Sequence, residues 1–168
     1  MLKRNILLVP FLVSLFVFTA CKDEVIAPAN QMSEQQSVPK SISSVQSSLV
    51  SVNRIITNDD KLWEVKVVTP FGAMIKFEYF ENTGQIREIH GLIGPFDYDL
   101  DPGNELLLYQ DVRAIALNAK SGNITSWKLE KDESNIRWEY RFFITATDGN
   151  WELRISAVDG QVLRMKQK

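Results

Sequence analysis

One cysteine and one histidine stand in 168 residues. A single cysteine closes no internal disulfide, so packing alone must hold the fold. A lone histidine without a second thiol leaves little from which to build a zinc site or a nucleophile–histidine triad. No long apolar run is present either. Ile6 to Ala20 is apolar but interrupted by Pro10, Ser14 and Thr19, and it falls short of the about 20 residues that span a bilayer. A large excess of one sign of charge is lacking as well. Lys and Arg number 19 against 21 Asp and Glu, a net charge of −2, which gives no reason to expect nucleic acid as a partner. What the chain does have is aromatic side chains, with four Trp and nine Phe, enough for a packed domain.

The N-terminus has the layout of a secretory signal. Lys3 and Arg4 form a basic start, an apolar stretch follows, and small residues close it. Thr19-Ala20-Cys21, with Phe18 in the apolar slot where leucine is most usual, resembles a bacterial lipobox. That resemblance implies cleavage before Cys21 and acylation of its thiol with palmitate-type chains. Each buried methylene contributes about 0.8 kcal/mol, and more than one chain makes a firm anchor. The following Lys22-Asp23-Glu24 resembles the surface-export signal of Bacteroidota lipoproteins. The expected location is the outer membrane, lipid-anchored, on the cell surface or the periplasmic face. Without residues 1–20 the basic residues fall to 17 by loss of Lys3 and Arg4, and the net charge is near −4.

Residues 21–48 are rich in Ser, Gln and Pro and contain no aromatic. Such a composition reads as a lipidated flexible tether, with a weak helix over 40–48. Beyond it the chain alternates apolar and polar residues at the period of strands. Strands are predicted over 49–57, 62–69, 73–80 and 85–91, then over 123–131, 136–146 and 151–157, with a final hairpin around Asp159-Gly160. Between the two groups lies an acidic connection, 95–104, and the strongest helix pattern, 105–122. Asn104 is the expected cap and Gly122 the exit.

The two strand groups resemble each other. Trp63-Glu64 lines up with Trp138-Glu139, and Gly84-Gln85-Ile86 with Gly160-Gln161-Val162. Residues 105–165 resemble a PepSY domain, carried by AIAL at 114–117, Gly122, WEYRFFI at 138–144, WELRIS at 151–156 and DGQVL at 159–163. One departure is Ser156, with Phe80 in the first copy, where the family usually has aspartate. The resemblance implies an α+β fold: an antiparallel meander sheet with one main helix packed on a face, as tandem pseudo-repeats. The first, degenerate copy would occupy 49–94 and the second 105–168. It also implies a non-catalytic module that binds a peptide or protein, in the manner of propeptides that restrain peptidases.

Three features invite chemistry. His90 reads as a surface residue. Trp63-Glu64 and Trp138-Glu139 suggest paired carboxylates, but strand alternation makes them solvent-facing glutamates beside core tryptophans. Asp97, Asp99 and Asp101 have the D-x-D-x-D spacing of a calcium loop, without its later glycine and glutamate. Calcium is therefore the one cofactor the sequence admits. The alternatives to a peptidase regulator are a calcium-stabilised surface adhesin or scaffold, and an accessory carbohydrate-binding lipoprotein with tryptophans as sugar platforms.

Overall fold

The computed structural model describes residues 31–57, 60–103, 105–132 and 136–168. Cys21, the signal and Asn104 lie outside the described residues. Two helices and eight strands follow in the order α1 (Glu34–Ser44), β1 (Ser48–Thr57), β2 (Asp60–Val68), β3 (Met74–Phe80), β4 (Ile86–Ile93), α2 (Tyr109–Ala119), β5 (Asn123–Asp132), β6 (Arg137–Ala146), β7 (Gly149–Ser156) and β8 (Val162–Gln167). All eight strands form one antiparallel sheet in sequence order. The expected α+β class and meander are what the chain adopts. No helix of the described residues is long and apolar enough to cross a membrane.

Among the described residues there are two helices rather than one. Residues 33–48, expected as tether, hold α1 on the core. Gln36 Oε1 accepts the Ser33 N–H at 3.0 Å, one arm of a capping box. Pro39 sits inside the helix, where it removes a backbone donor; for that reason the sequence pointed to a helix only beyond it. The buried stripe is built from serine. Ser37 and Ser41 are fully buried. Ser41 Oγ donates to Ser37 O at 2.9 Å and lies 3.0 Å from Tyr79 Oη. A serine that bonds its own helix backbone can be buried without a stranded hydroxyl. Met32 and Val45 are buried at either end, with Val38 and Ile42 packed against the core.

Helix α2 starts four residues later than expected. Its N-cap is Leu108, which has no capping side chain, and Glu105 takes a positive φ of 59°. The carbonyl of Leu107 is satisfied from outside the helix, by the Tyr140 hydroxyl at 2.9 Å. The helix ends at Ala119, ahead of Gly122.

The chain is thus two units of one helix and four strands, and their backbones match bond by bond. Met32 N donates to Glu81 O at 2.6 Å, as Leu107 N does to Ala157 O at 2.7 Å. Gly84 N donates to Phe80 O, as Gly160 N does to Ser156 O, both within the turn that leads to the fourth strand. Glu81 N donates to Lys61 O, as Ala157 N does to Trp138 O. Trp63 Nε1 donates to Met32 O, as the Tyr140 hydroxyl does to Leu107 O. These pairs correct the repeat. Trp63 is equivalent to Tyr140, and Lys61 to Trp138, so the Trp-Glu match in the sequence is two residues out of register. Ser156 also takes over at the hairpin. Its Oγ lies 3.4 Å from Val158 N and 3.5 Å from Asp159 N, so a hydroxyl faces the turn amides where the family usually has a carboxylate.

One face of the sheet carries the core. Trp127, Tyr109, Tyr140 and Phe142 cluster there, with Trp127 stacked on Tyr109 at 4.3 Å between centroids. The core is continuous between the two units because Trp127 of β5 lies directly opposite Gly91 of β4. A Cβ at residue 91 would stand 2.2 Å from Trp127 Nε1, so only glycine admits the indole.

Candidate functional site

The other face of the sheet is built from charged side chains in two rows. Six strands each carry an acidic and a basic residue two positions apart: EVK at 64–66, KFE at 76–78, EIH at 88–90, KLE at 128–130, EYR at 139–141 and ELR at 152–154. The antiparallel register sets the acids of five neighbouring strands side by side, as Glu64, Glu78, Glu88, Glu130 and Glu139. The bases form the next row, Lys66, Lys76, His90, Lys128, Arg141, Arg154 and Arg164. Like charges directly opposite destabilise a sheet. Each therefore leans along the strand toward the other row.

Lys76 Nζ reaches Glu78 at 2.6 Å and Glu88 at 2.9 Å. Lys128 holds the second oxygen of Glu88 at 3.0 Å, and Arg87 holds Glu78 at 2.5 Å. In the second unit Arg154 bridges Glu152, Glu139 and Asp132 at 3.0, 3.2 and 3.3 Å. Arg141 pairs with Glu130 at 2.6 Å. The expected solvent-facing Glu139 is only 2% exposed. Burial raises its pKa against the pull of Arg154 and Arg141. Burial would raise Glu88 and Glu152 too. Hydrogen bonds from Lys76 and Lys128 bring Glu88 below its ordinary value, and those from Lys168 and Arg154 bring Glu152 down to about 2.

His90 lies in the basic row rather than on an open surface. Its Nδ1 is 3.6 Å from Glu88, and Lys76 and Lys128 sit opposite it on the two flanking strands. Burial first, then the positive Lys128 and Lys76, lower its pKa against the opposing pull of Glu88 and Glu78. The unfolded chain therefore takes the proton first, near pH 6.5. Stability contributed by neutral His90 is present above that pH and is lost as pH falls toward the lower folded value. A fall in unfolding free energy between about pH 7 and about pH 5, smaller in His90→Gln, is the expected result of urea titrations. Identical slopes for the two proteins would contradict it.

The seam between the units is the shortest in the sheet. Only Glu88–Gly91 pair with Trp127–Glu130. The cause lies in β4. Glu78 faces Glu88 and Tyr79 faces Ile86, so Arg87 is a one-residue bulge. A bulge bends its strand and ends the pairing. Below the seam the two strands part like a fork. Between the prongs opens a cleft of about 780 Å³, lined by Asp60, Phe80, Ile86, Glu130, Ile136 and Trp138 among others. The volume lies within the range of ligand pockets. The outer edges are guarded by contrast. β8 and the residue after it present exposed Arg164, Lys166 and Lys168, and β1 is interrupted by a register shift at Leu49/Ser51, both of which discourage strand addition.

The aspartate loop does not gather. Asp97 is bound by Arg113, and Asp101 Oδ1 accepts the Gly103 N–H at 2.7 Å. Among the described residues no three His, Cys, Asp or Glu are placed to hold a metal ion. Their alternation serves the loop instead. It seats Leu100, buried, and Tyr98, whose hydroxyl accepts Trp127 Nε1 at 2.9 Å. The six charged triplets stand in the sequence as a signal, but their alignment into rows is set by the pairing of strands. The cleft has no such signal, because it depends on where two strands part.

The geometry defines a class before any comparison: two α–β4 units fused into one sheet, with a helical face and a charged face. Residues 107–166, the second unit, match the model of the PepSY family, described as the peptidase propeptide and YPEB domain. The PepSY match is thus confined to the second unit, and the first unit repeats its architecture. No curated protein matches the chain. A solved structure of a candidate lipoprotein from Clostridium difficile 630 is similar over 86% of this chain and 98% of its own, at 14% identity and a TM-score of 0.39. That likeness is too loose to carry any residue over.

Proposed function

We propose that the chain is an exported, lipid-anchored binding module, without catalysis of its own, that takes up an extended stretch of polypeptide in the fork between β4 and β5. The fork carries this reading. Two strand edges that leave their partners present backbone donors and acceptors for an added strand, and apolar and charged side chains flank them. The propeptide family of the second unit supports a polypeptide ligand, and regulation of a peptidase is the finer form of the proposal. The anchor is Cys21, and Lys22-Asp23-Glu24 directs it to the cell surface of the outer membrane. The calcium-stabilised adhesin loses its support with the dispersed aspartates.

Selection of a random-peptide library on the full mature chain, followed by amide exchange with the winners bound, tests the proposal. Protection of Ile86–Glu88 and of Lys131–Asp132 is expected. Failure to retain any peptide, or protection confined to β1 and β8, would sink it.

A further inference from the structure

Resting on the reading of the fork as a peptide site, we propose that its resident occupant is this chain's own N-terminal arm, residues 25–29, which a polypeptide ligand must displace. The arm lies outside the described residues, and the first ground is the place where the described chain begins. Met32 N donates to Glu81 O at 2.6 Å, one residue beyond Phe80, which lines the cleft. Gln31 borders a small cavity of about 120 Å³ with Asp60, Lys61, Glu81 and Asn82. Asp60 is also a wall of the fork. The chain therefore leaves the domain beside the mouth of the fork. Pro28, Ala29 and Asn30 span up to about 10 Å when extended, enough to lead residues 25–27 from Gln31 round Asp60 into the cleft.

The second ground is the chemistry of the lining. Most of its ions already have partners: Glu88 is held by Lys76 and Lys128, Glu130 by Arg141, Asp132 by Arg154, and Arg87 by Glu78. A charged occupant would lose hydration there and find those partners taken. The apolar walls, Phe80, Ile86, Ile136 and Trp138, favour an uncharged segment instead. Val25-Ile26-Ala27 is the only run of three apolar residues between Cys21 and α1. Its β-branched residues suit an extended strand. Pro28 cannot donate to a ladder, and it stands at the end of that run rather than within it.

The third ground is Ile136, at the lip of the cleft. It is 71% exposed and has a φ of 56°. A β-branched residue in the left-handed region is strained, and such strain gathers at ligand clamps. An isoleucine held out in that form gains by being covered. An attached segment acts at an effective concentration of about 1 mM. With an intrinsic dissociation constant of about 0.1 mM it weakens an outside ligand about tenfold.

The experiment compares the full mature chain with Val25→Asp/Ile26→Asp and with Ile136→Asp, an exposed site whose positive φ suits aspartate better than isoleucine. Circular dichroism checks the fold of each. The probe is a fluorescent, end-blocked peptide of residues 23–30, DEVIAPAN. It is expected to bind Val25→Asp/Ile26→Asp about tenfold more tightly than the unaltered chain. Amide exchange at 86–88 and 131–132 is expected to be slow in the unaltered chain, faster in both variants, and slow again when the probe fills the double variant. Equal exchange in the unaltered chain and the double variant, or a probe that does not bind the double variant, would overturn the resident arm. If library-selected peptides still protect the fork in that case, the binding reading stands. Exchange at the fork that no peptide slows would overturn both.

Discussion

Trp127→Ala is expected to lower the unfolding free energy by about 3–5 kcal/mol, the largest loss from any single truncation in this chain. Trp127 is completely buried and is the largest such side chain. Its removal opens a cavity at the junction of three elements. Tyr109 of α2 loses a ring stacked at 4.3 Å, Tyr140 one at 5.9 Å, and Gly91 of β4 loses the indole that fills the space a Cβ would take. The Tyr98 hydroxyl also loses its donor. Glycine cannot close over the void, since it has no side chain to move. Because the seam spans only four residues on each strand, loosening it is expected to uncouple the units and to broaden the urea transition. Trp127→Phe keeps much of the packing and loses the hydrogen bond, so its cost should be clearly smaller. Equilibrium urea denaturation followed by far- and near-ultraviolet circular dichroism measures both. A loss below about 1 kcal/mol for Trp127→Ala would show that the seam is held elsewhere.

Removal of α1 should be nearly as severe. A chain beginning at residue 46 is compared with one beginning at residue 31. The shorter chain loses Met32 and Val45 from the core and Val38 and Ile42 from its margin. It also uncovers Tyr79, whose hydroxyl is buried against Ser41. Full burial of each such side chain contributes about 1.5–3 kcal/mol. The loss should exceed about 4 kcal/mol, a large part of the about 5–15 kcal/mol that holds a domain together. A segment that merely tethered the domain would cost nothing when removed. Equal denaturation midpoints for the two chains would therefore refute the packed α1. Exposure of the first unit's apolar face should appear at the same time as dye binding in the shorter chain.

Much of the fold was legible because strands announce themselves locally. The alternation of Trp63, Val65 and Val67 with Glu64 and Lys66 marks β2 whatever lies beside it, and the same holds for β3, β5, β6 and β7. The turn glycines Gly84 and Gly160 marked both hairpins that lead into a unit's last strand. Helix α1 was hidden because its buried stripe is Ser37 and Ser41. Each serine donates its hydroxyl to a carbonyl one turn back in the helix, and Ser41 also meets the Tyr79 hydroxyl of β3, neither of which composition reveals. Glu139 misled for a related reason. A glutamate on a strand is ordinarily solvent-facing, and this one is buried under Arg154 of the neighbouring strand and Arg141 of its own. The repeat was visible, but Trp63-Glu64 and Trp138-Glu139 made it so in the wrong register. In the folded chain Trp63 stands where Tyr140 does, and only the bonds of Met32, Leu107, Glu81 and Ala157 reveal that.

By itself the sequence determined the strand alternation, the second helix, the alternating charged triplets and the kinship of the second unit. All of these rest on interactions between residues close along the chain or on residue types read in order. The tertiary structure alone decided three things. It set the acids of five strands beside the bases of seven in two facing rows, since register is a property of pairs of strands. It put a serine-lined helix onto the first unit, since burial depends on what covers a side chain. It opened the fork, since a bulge at Arg87 parts β4 from β5 only once both strands are in one sheet.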